Sequence, residues 1–227
     1  MDIGSFVLDA KGVRWAIDLG AQSYRSLERR GMGIWDMRQE SERWSVFRLN
    51  THSHNTLLVD EEQQLVEGFA PIISFSQNPD SAHTVVDMTE VYADVIDRAL
   101  RGARFFPGES VLLHDEITGL GLGQRIRWVM MTRAEIELES DRAILRQEGQ
   151  TLYARILAPA DAEFAVVQTE PPPNEWDAPN PGTRMLALFV DGCDDASSRH
   201  LRILLSKEKL SDERVGELRS LDSPANW

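Results

Sequence analysis

The sequence predicts an all-β fold, a large antiparallel β-sandwich of stacked sheets with one or two short helices. Three observations carry this reading. Period-two alternation of apolar and polar residues dominates the chain. The alternating runs recur about every 8 to 14 residues, with Gly, Asn, Asp or Pro between them. Helical periodicity is scarce. The chain has 227 residues, 42% of them hydrophobic and 27% charged, enough to bury a substantial core. With no clean linker and no repeat of fixed period, it reads as a single domain over 1–227.

Taken in order, SFVLDA (5–10) and VRWAIDL (13–19) flank Lys11-Gly12, a short turn that makes them a hairpin. RWSVFRL (43–49) leads through Asn50-Thr51 into HSHNTLLVD (52–60), and the whole reads as strand. Further strands are predicted at 82–89, 110–117, 124–132, 134–140, 142–148, 151–158, 163–170, 185–192 and 199–206. SYRSLERR (23–30) has the pattern for two helical turns, and SDERVGELRS (211–220) for a short terminal helix. EVYADVIDRAL (90–100) fits either a helix or a bulged strand. PPPNEWDAPNPG (171–182) is a proline-rich loop, too poor in N–H donors for a central strand.

Composition excludes several functions. A net charge of −13 has the wrong sign for nucleic acid, and it repels an acidic polysaccharide at long range, although local fields differ from the total. No apolar run approaches the roughly 20 residues that cross a bilayer. The opening MDIGSFVLDAKG lacks the basic start and apolar run of a signal peptide and reads as the inside of a strand. One cysteine, Cys193, excludes an internal disulfide. Residues 25–48 run against the overall sign: Arg25, Arg29, Arg30, Arg38, Arg43 and Arg48 face Glu28, Asp36, Glu40 and Glu42. A solvated, salt-bridged face is the default reading of such a run.

If 43–56 is one unbroken strand, His52 and His54 share a face about 7 Å apart, from a rise of ~3.4 Å per residue. An ordinary hydrogen-bonded histidine is the default for H-x-H on a strand. Asp18, a carboxylate among apolar neighbours in WAIDLG, needs a partner, and His54 is the candidate. A zinc ion on His54 and Asp18 would still lack at least one protein ligand. Gly119, Gly121 and Gly123 in TGLGLGQR have neither the spacing nor the following helix of a dinucleotide loop and read as a hairpin turn. His114-Asp115-Glu116 ends a strand and reads as a surface turn. His83 and His200 read as lone structural histidines, and Met130 and Met131 as core. No serine sits in a nucleophile elbow.

Several separated motifs resemble, in order and approximate spacing, the C-terminal part of the heparinase II/III family of polysaccharide lyases. They are MDIGSFVLDAKGVRWAIDLG, IWDMRQESERWSVFRLNTHSHNTLLVD, VVDMTEVYADVIDRALRG and SVLLHDEI. The resemblance implies a β-sandwich that packs, in those enzymes, against an N-terminal α/α toroid, with the cleft for a uronic-acid polysaccharide between them. It implies cleavage by β-elimination and a periplasmic or secreted location. It also implies a zinc ion held by the aspartate of the W-A-x-D-L-G strand and the histidine before N-T, which are Asp18 and His54 here. A further histidine in an H-x-H pair precedes the D-x-G-S-F motif in the family, and the sequence starts at Met1-Asp2. His52 falls outside the matched position. The toroid carries the tyrosine and other catalytic groups in that family; here, from position alone, Tyr24 is a candidate cleft residue, and Arg25 and Arg48 are candidates for binding sugar acids, since guanidinium suits carboxylate and sulfate.

The expected partners are an acidic polysaccharide, the absent toroid domain, and a second copy of the chain through any apolar or arginine-rich docking surface. Three functions stay open on this reading. The chain is the β-sandwich portion of a lyase, inactive alone; a stand-alone carbohydrate-binding or assembly module; or a cupin-like metalloenzyme, which needs more ligands than are found.

Overall fold

A computed structural model describes residues 1–192 and 198–227, so Cys193 lies outside the described residues. Fourteen strands form among the described residues, with two short helices. No helix is long and apolar enough to cross a membrane. A hairpin of β1 (Leu8–Ala10) and β2 (Val13–Ala16) turns at Lys11-Gly12, both with positive φ, as expected. The other strands are β3 (Leu57–Val59), β4 (Ile72–Gln77), β5 (Ala82–Asp87), β6 (Arg98–Phe106), β7 (Ser110–Thr118), β8 (Arg125–Thr132), β9 (Glu135–Glu139), β10 (Arg142–Gln147), β11 (Gln150–Ala158), β12 (Phe164–Gln168), β13 (Arg184–Asp191) and β14 (Arg199–Ser206). An antiparallel eight-stranded sheet has the order β4-β5-β6-β7-β14-β11-β10-β9, and a four-stranded sheet has β12-β13-β8-β3.

The two sheets face one another across one apolar core. Trp128 and Met130 of β8 and Leu186 and Leu188 of β13 meet Ile117 of β7, Leu145 of β10, and Leu201 and Ile203 of β14. Alternation puts the other residues of these strands outward. Part of the outer face of the eight-stranded sheet is covered by α2 (Asp212–Arg219), whose Val215 and Leu218 pack on Leu112, Leu157 and Leu204. Ser211 caps this helix by accepting the Arg214 N–H, and Asp212 and Glu213 sit in its first turn. Beyond α2, the Trp227 ring lies over Gly102, where an added Cβ would approach it to 2.6 Å.

The structure corrects several expectations. Residues 43–56 do not form a strand. They make three short 3₁₀ turns, Glu42–Ser45, Phe47–Leu49 and Thr51–Ser53, before β3 begins at Leu57. The alternating pattern misleads because Trp44, Val46, Phe47 and Leu49 are all buried, Phe47 against the outer face of the four-stranded sheet and Val46 and Leu49 in a satellite cluster. Side chains close the turns: Ser41 accepts from Arg43 N–H and Asn50 from His52 N–H. The loop 171–182 clamps this segment, with Asp177 accepting the Phe47 N–H at 2.8 Å. The glycine loop at 119–123 is not a hairpin turn; it carries the chain from β7 in one sheet to β8 in the other. Two strands were not foreseen: β4, and β6, which takes up the end of EVYADVIDRAL after a 3₁₀ turn at Thr89–Tyr92.

His114-Asp115-Glu116 is not a surface turn; all three residues are buried in the middle of β7. His114 faces outward under the Trp227 cover, accepts from Arg202 Nε at 3.2 Å and lies 3.0 Å from His200 Nδ1. Burial, and then the nearby Arg202 and His200, push its pKa down to about 2, so it is neutral. His83 and His200 are therefore not solitary: His83 and His114 both pack edge-on against Trp227.

Asp115 faces inward and grips Arg101 of β6, its direct cross-strand neighbour, through two bonds of 2.6 and 2.7 Å. A buried carboxylate and guanidinium are tolerated only when paired and fully hydrogen-bonded. Asp115→Ala leaves that guanidinium buried without its counter-charge, and is expected to cost about 3–5 kcal/mol in urea unfolding. Asp9→Ala, which breaks the exposed Arg14–Asp9 pair, is expected to leave the urea midpoint almost unchanged, because solvent screens such a pair. Equal losses would contradict the role given to the buried pair.

Candidate functional site

Arg101 also donates from Nη1 to the carbonyls of Gly4, 2.8 Å, and Asn55, 3.0 Å. It thereby ties the N-terminal segment and the HNT segment to the inner face of the large sheet. The DIGSF motif is shaped by the same contacts. Gly4 has φ +76°, and a Cβ there would stand 2.3 Å from Met88 Sδ, so only glycine fits. The Ser5 hydroxyl accepts the Asn55 N–H, and the Phe6 ring stacks on Trp128.

Asn55 joins three segments. Its Nδ2 donates to the carbonyls of Phe6, 2.6 Å, and Ile17, 2.9 Å, while Oδ1 accepts the Met131 N–H at 2.6 Å. β3 pairs with β8 only over Leu57–Val59; past that point the Asn55 side chain takes the place of strand backbone, and Ile17 donates to the Met131 carbonyl. β2 and β3 thus share one edge of β8, with Asn55 at the junction. Thr56 donates to the Ile3 carbonyl, and Gln64 bridges Ile3 and the Tyr92 hydroxyl. Asn55, Thr56, Gln64, Tyr92 and Arg101 are all buried and hydrogen-bonded, as burial requires.

Asp18 follows Ile17, and His54 precedes Asn55, so the junction sets the two side by side. His54 Nδ1 is 2.7 Å from Asp18 Oδ2, and Asp18 Oδ1 accepts the Gly20 N–H at 2.7 Å. The expected pairing is therefore present, although on a junction and not on the face of one strand. His54 is nearly buried and Asp18 half-exposed. The hydrogen bond from His54 holds the Asp18 carboxyl below its ordinary pKa, with Gly20 adding to the effect and burial opposing it. With Nδ1–H donating to the carboxylate, His54 presents Nε2 for a proton, a metal or a sugar oxygen. Asp18 and His54 are two donors of the type zinc takes. No cluster of three His, Cys, Asp or Glu occurs among the described residues, so these residues do not by themselves complete a zinc site.

His52 points to a different group. It lies 3.7 Å from Glu61, which pairs at 2.8 Å with Arg127, a buried residue of β8. Asp60 and Glu61 both have positive φ, and this tight turn aims Glu61 at its partners. Burial, and then Arg127, lower the His52 pKa. Tyr24 stands at the start of α1 (Tyr24–Glu28), half-buried and edge-on to Trp35, with its hydroxyl accepting from Arg43. Arg48 is half-buried, and its guanidinium is spent on Asn180, Pro179 and the Leu19 carbonyl next to Asp18. Arg25 is exposed. Sequence reasoning missed Asn55, Arg101 and Asp115. The available signal was an arginine and an aspartate at inward positions of otherwise apolar strands.

The lowered Asp18 pKa contributes stability that is complete above about pH 3.9, the ordinary aspartate value, and lost as pH falls through the lowered folded value. Asp18→Asn is expected to flatten this part of the stability curve between about pH 5 and pH 2, measured by urea unfolding at each pH. An unchanged acid limb would show that the contact with His54 is not held in solution.

The family model described as Heparinase II/III-like, C-terminal, matches residues 1–185. Among solved structures, heparan sulfate lyase HepC from Pedobacter heparinus aligns with a TM-score of 0.67 at 12% identity, covering 92% of this chain and 31% of that one. Heparinase III aligns at 0.66 and 12% identity, over 93% and 30%, and the Heparinase III-BT4657 gene product at 0.64 and 16%, over 92% and 31%. The chain thus spans about a third of the length of these structures, whose likeness is one of fold. No curated protein matches. On the match over residues 1–185, the chain belongs to the heparinase II/III-like C-terminal family.

Proposed function

We propose that this β-sandwich is the C-terminal portion of a polysaccharide lyase acting on uronic-acid polymers and is inactive alone. The observation that carries the reading is the Asp18–His54 contact at a junction built by the DIGSF and HNT motifs, in a chain of this family. β-Elimination removes the proton on the carbon next to the uronate carboxylate, breaks the bond from the next carbon to the glycosidic oxygen, and protonates that oxygen as the C=C bond forms. It needs a base, neutralisation of the carboxylate, and an acid. The described residues offer one oriented imidazole and no assembled set of three roles.

On this reading Asp18 and His54 supply two ligands of a zinc site, and the remaining donor comes from outside the described residues; a bound ion would stiffen the junction and supply a positive charge. The location that goes with it is periplasmic or secreted. The chain incubated with heparan sulfate is expected to give no rise in the ultraviolet absorbance of unsaturated uronate, and to retain no zinc after dialysis against chelator. Turnover by the chain alone would overturn the first expectation. Stoichiometric zinc lost in His54→Ala would show a complete site and overturn the second.

A second reading, an assembly module, is favoured by β4. This strand lies at the edge of the large sheet and carries no charge, and Ile72, Ile73 and Phe75 are 68%, 51% and 70% exposed. Natural sheets protect such edges with charge or cover. Pairing of β4 with a second copy is expected to raise the sedimenting mass above 25.7 kDa at high concentration. Ile73→Lys with Phe75→Lys is expected to return it to the monomer value; a wild-type chain that is monomeric throughout removes this reading.

A further inference from the structure

Helix α2 covers only part of the outer face of the eight-stranded sheet. Beside it a cleft of about 460 Å³ opens between β10 and β11 on one side and the segment leading into α2 on the other. Cross-strand register builds its floor: Arg142 stands opposite Arg155, and Ile144 opposite Tyr153. Lys209 and Asp212 line the other wall, and Glu139 the far edge. Two like charges directly opposite in an antiparallel pair are unfavourable. One carboxylate, Asp141, lies 3.6 Å from the Nε of each arginine, beyond hydrogen-bond range. Arg155 reaches Asp212 through Nη1 at 3.3 Å, yet its Nε is buried without a hydrogen-bond partner. Arg142 makes no side-chain hydrogen bond among the described residues, and its contact with Asp141 is through charge alone.

Two facing guanidiniums, that of Arg142 with its donors unused, are a receptor for a planar or tetrahedral oxyanion. Beside them, Tyr153 and Ile144 offer an apolar platform, and Glu139 and Asp212 offer acceptors for hydroxyls. The size falls within the range of small-molecule sites. We propose that this cleft binds an anionic sugar unit, with its carboxylate or sulfate between Arg142 and Arg155 and its ring against Tyr153. The sugar class rests on the lyase reading; the anion and platform chemistry rests on the cleft. The cleft lies on the outer face of the large sheet, whereas Asp18 and His54 stand at the edge of the small one.

Calorimetric titration of the 227-residue chain tests this without any turnover, and so separates it from the lyase reading, which absorbance tests. The probes are a heparin-derived tetrasaccharide, an oligogalacturonate, maltotetraose and inorganic sulfate. Binding of the heparin fragment is expected, weakening with added salt, while maltotetraose does not bind. Oligogalacturonate binding would assign the anion to a carboxylate; its failure beside a binding heparin fragment would assign it to a sulfate. Arg142→Gln and Tyr153→Leu are each expected to weaken binding at least about tenfold, with Arg142→Lys recovering part and Asp18→Asn changing nothing. The melting temperature of Arg142→Gln is expected to stay close to that of the wild type, because the change relieves the repulsion from Arg155 while losing only an exposed charge contact with Asp141. No binding of either acidic oligosaccharide, binding of sulfate alone, or binding lost in Asp18→Asn but kept in Arg142→Gln would each overturn the proposal.

Discussion

The buried Arg101–Asp115 pair is the contact on which the rest of the molecule depends. A charge pair inside a sandwich does not stabilise by attraction alone, because desolvation opposes it. Its effect here is geometric. Asp115 occupies two of the guanidinium nitrogens, and the remaining one is aimed at two carbonyls, those of Gly4 and Asn55. Non-strand backbone is thereby brought into the space between two sheets without leaving its polar groups unpaired. Apolar side chains would fill the same volume, but they would not select one path for two loops.

From that anchor the polar interior spreads toward the edge of the small sheet. Asn55 passes the constraint to β2 and β8, and Thr56, Gln64 and Tyr92 hold Ile3 against it. The Asp18–His54 contact is the exposed end of this network. Its geometry is set by groups that touch neither a sugar nor a metal, which is how a site acquires a fixed shape on an otherwise irregular stretch of chain. Membership of the heparinase II/III-like C-terminal family accounts for the motifs, and the network accounts for why each motif has its residues.

Much of the fold was legible in the sequence, because inward-facing residues of strands such as β8 and β13 alternate in the expected way. The failures occur where burial does not follow the two-faced alternation of a half-buried strand. Trp44, Val46, Phe47 and Leu49 imitate a strand because a 3₁₀ segment pressed between a sheet and a proline-rich loop buries residues irregularly. His114-Asp115-Glu116 imitates a turn because charged residues inside a strand are invisible without knowledge of Arg101 and Trp227. β4 was missed because its apolar residues face solvent on both sides and show no period. Asp18 and His54 were found from residue type and motif, whereas the amide between them, Asn55, carries no distinguishing feature in one dimension.

Asn55 has a consequence for the chemical durability of the protein. Its side chain donates twice and accepts once, a set that no other residue of that length provides. Hydrolysis of the amide to aspartate, a common lesion of ageing proteins, would turn both donors into acceptors facing two carbonyls and add a buried negative charge. A single damaged atom group would thus unfasten β2, the N-terminal segment and β8 together. Complete burial of Asn55 and the use of both its amide hydrogens hold that side chain in one orientation, away from solvent.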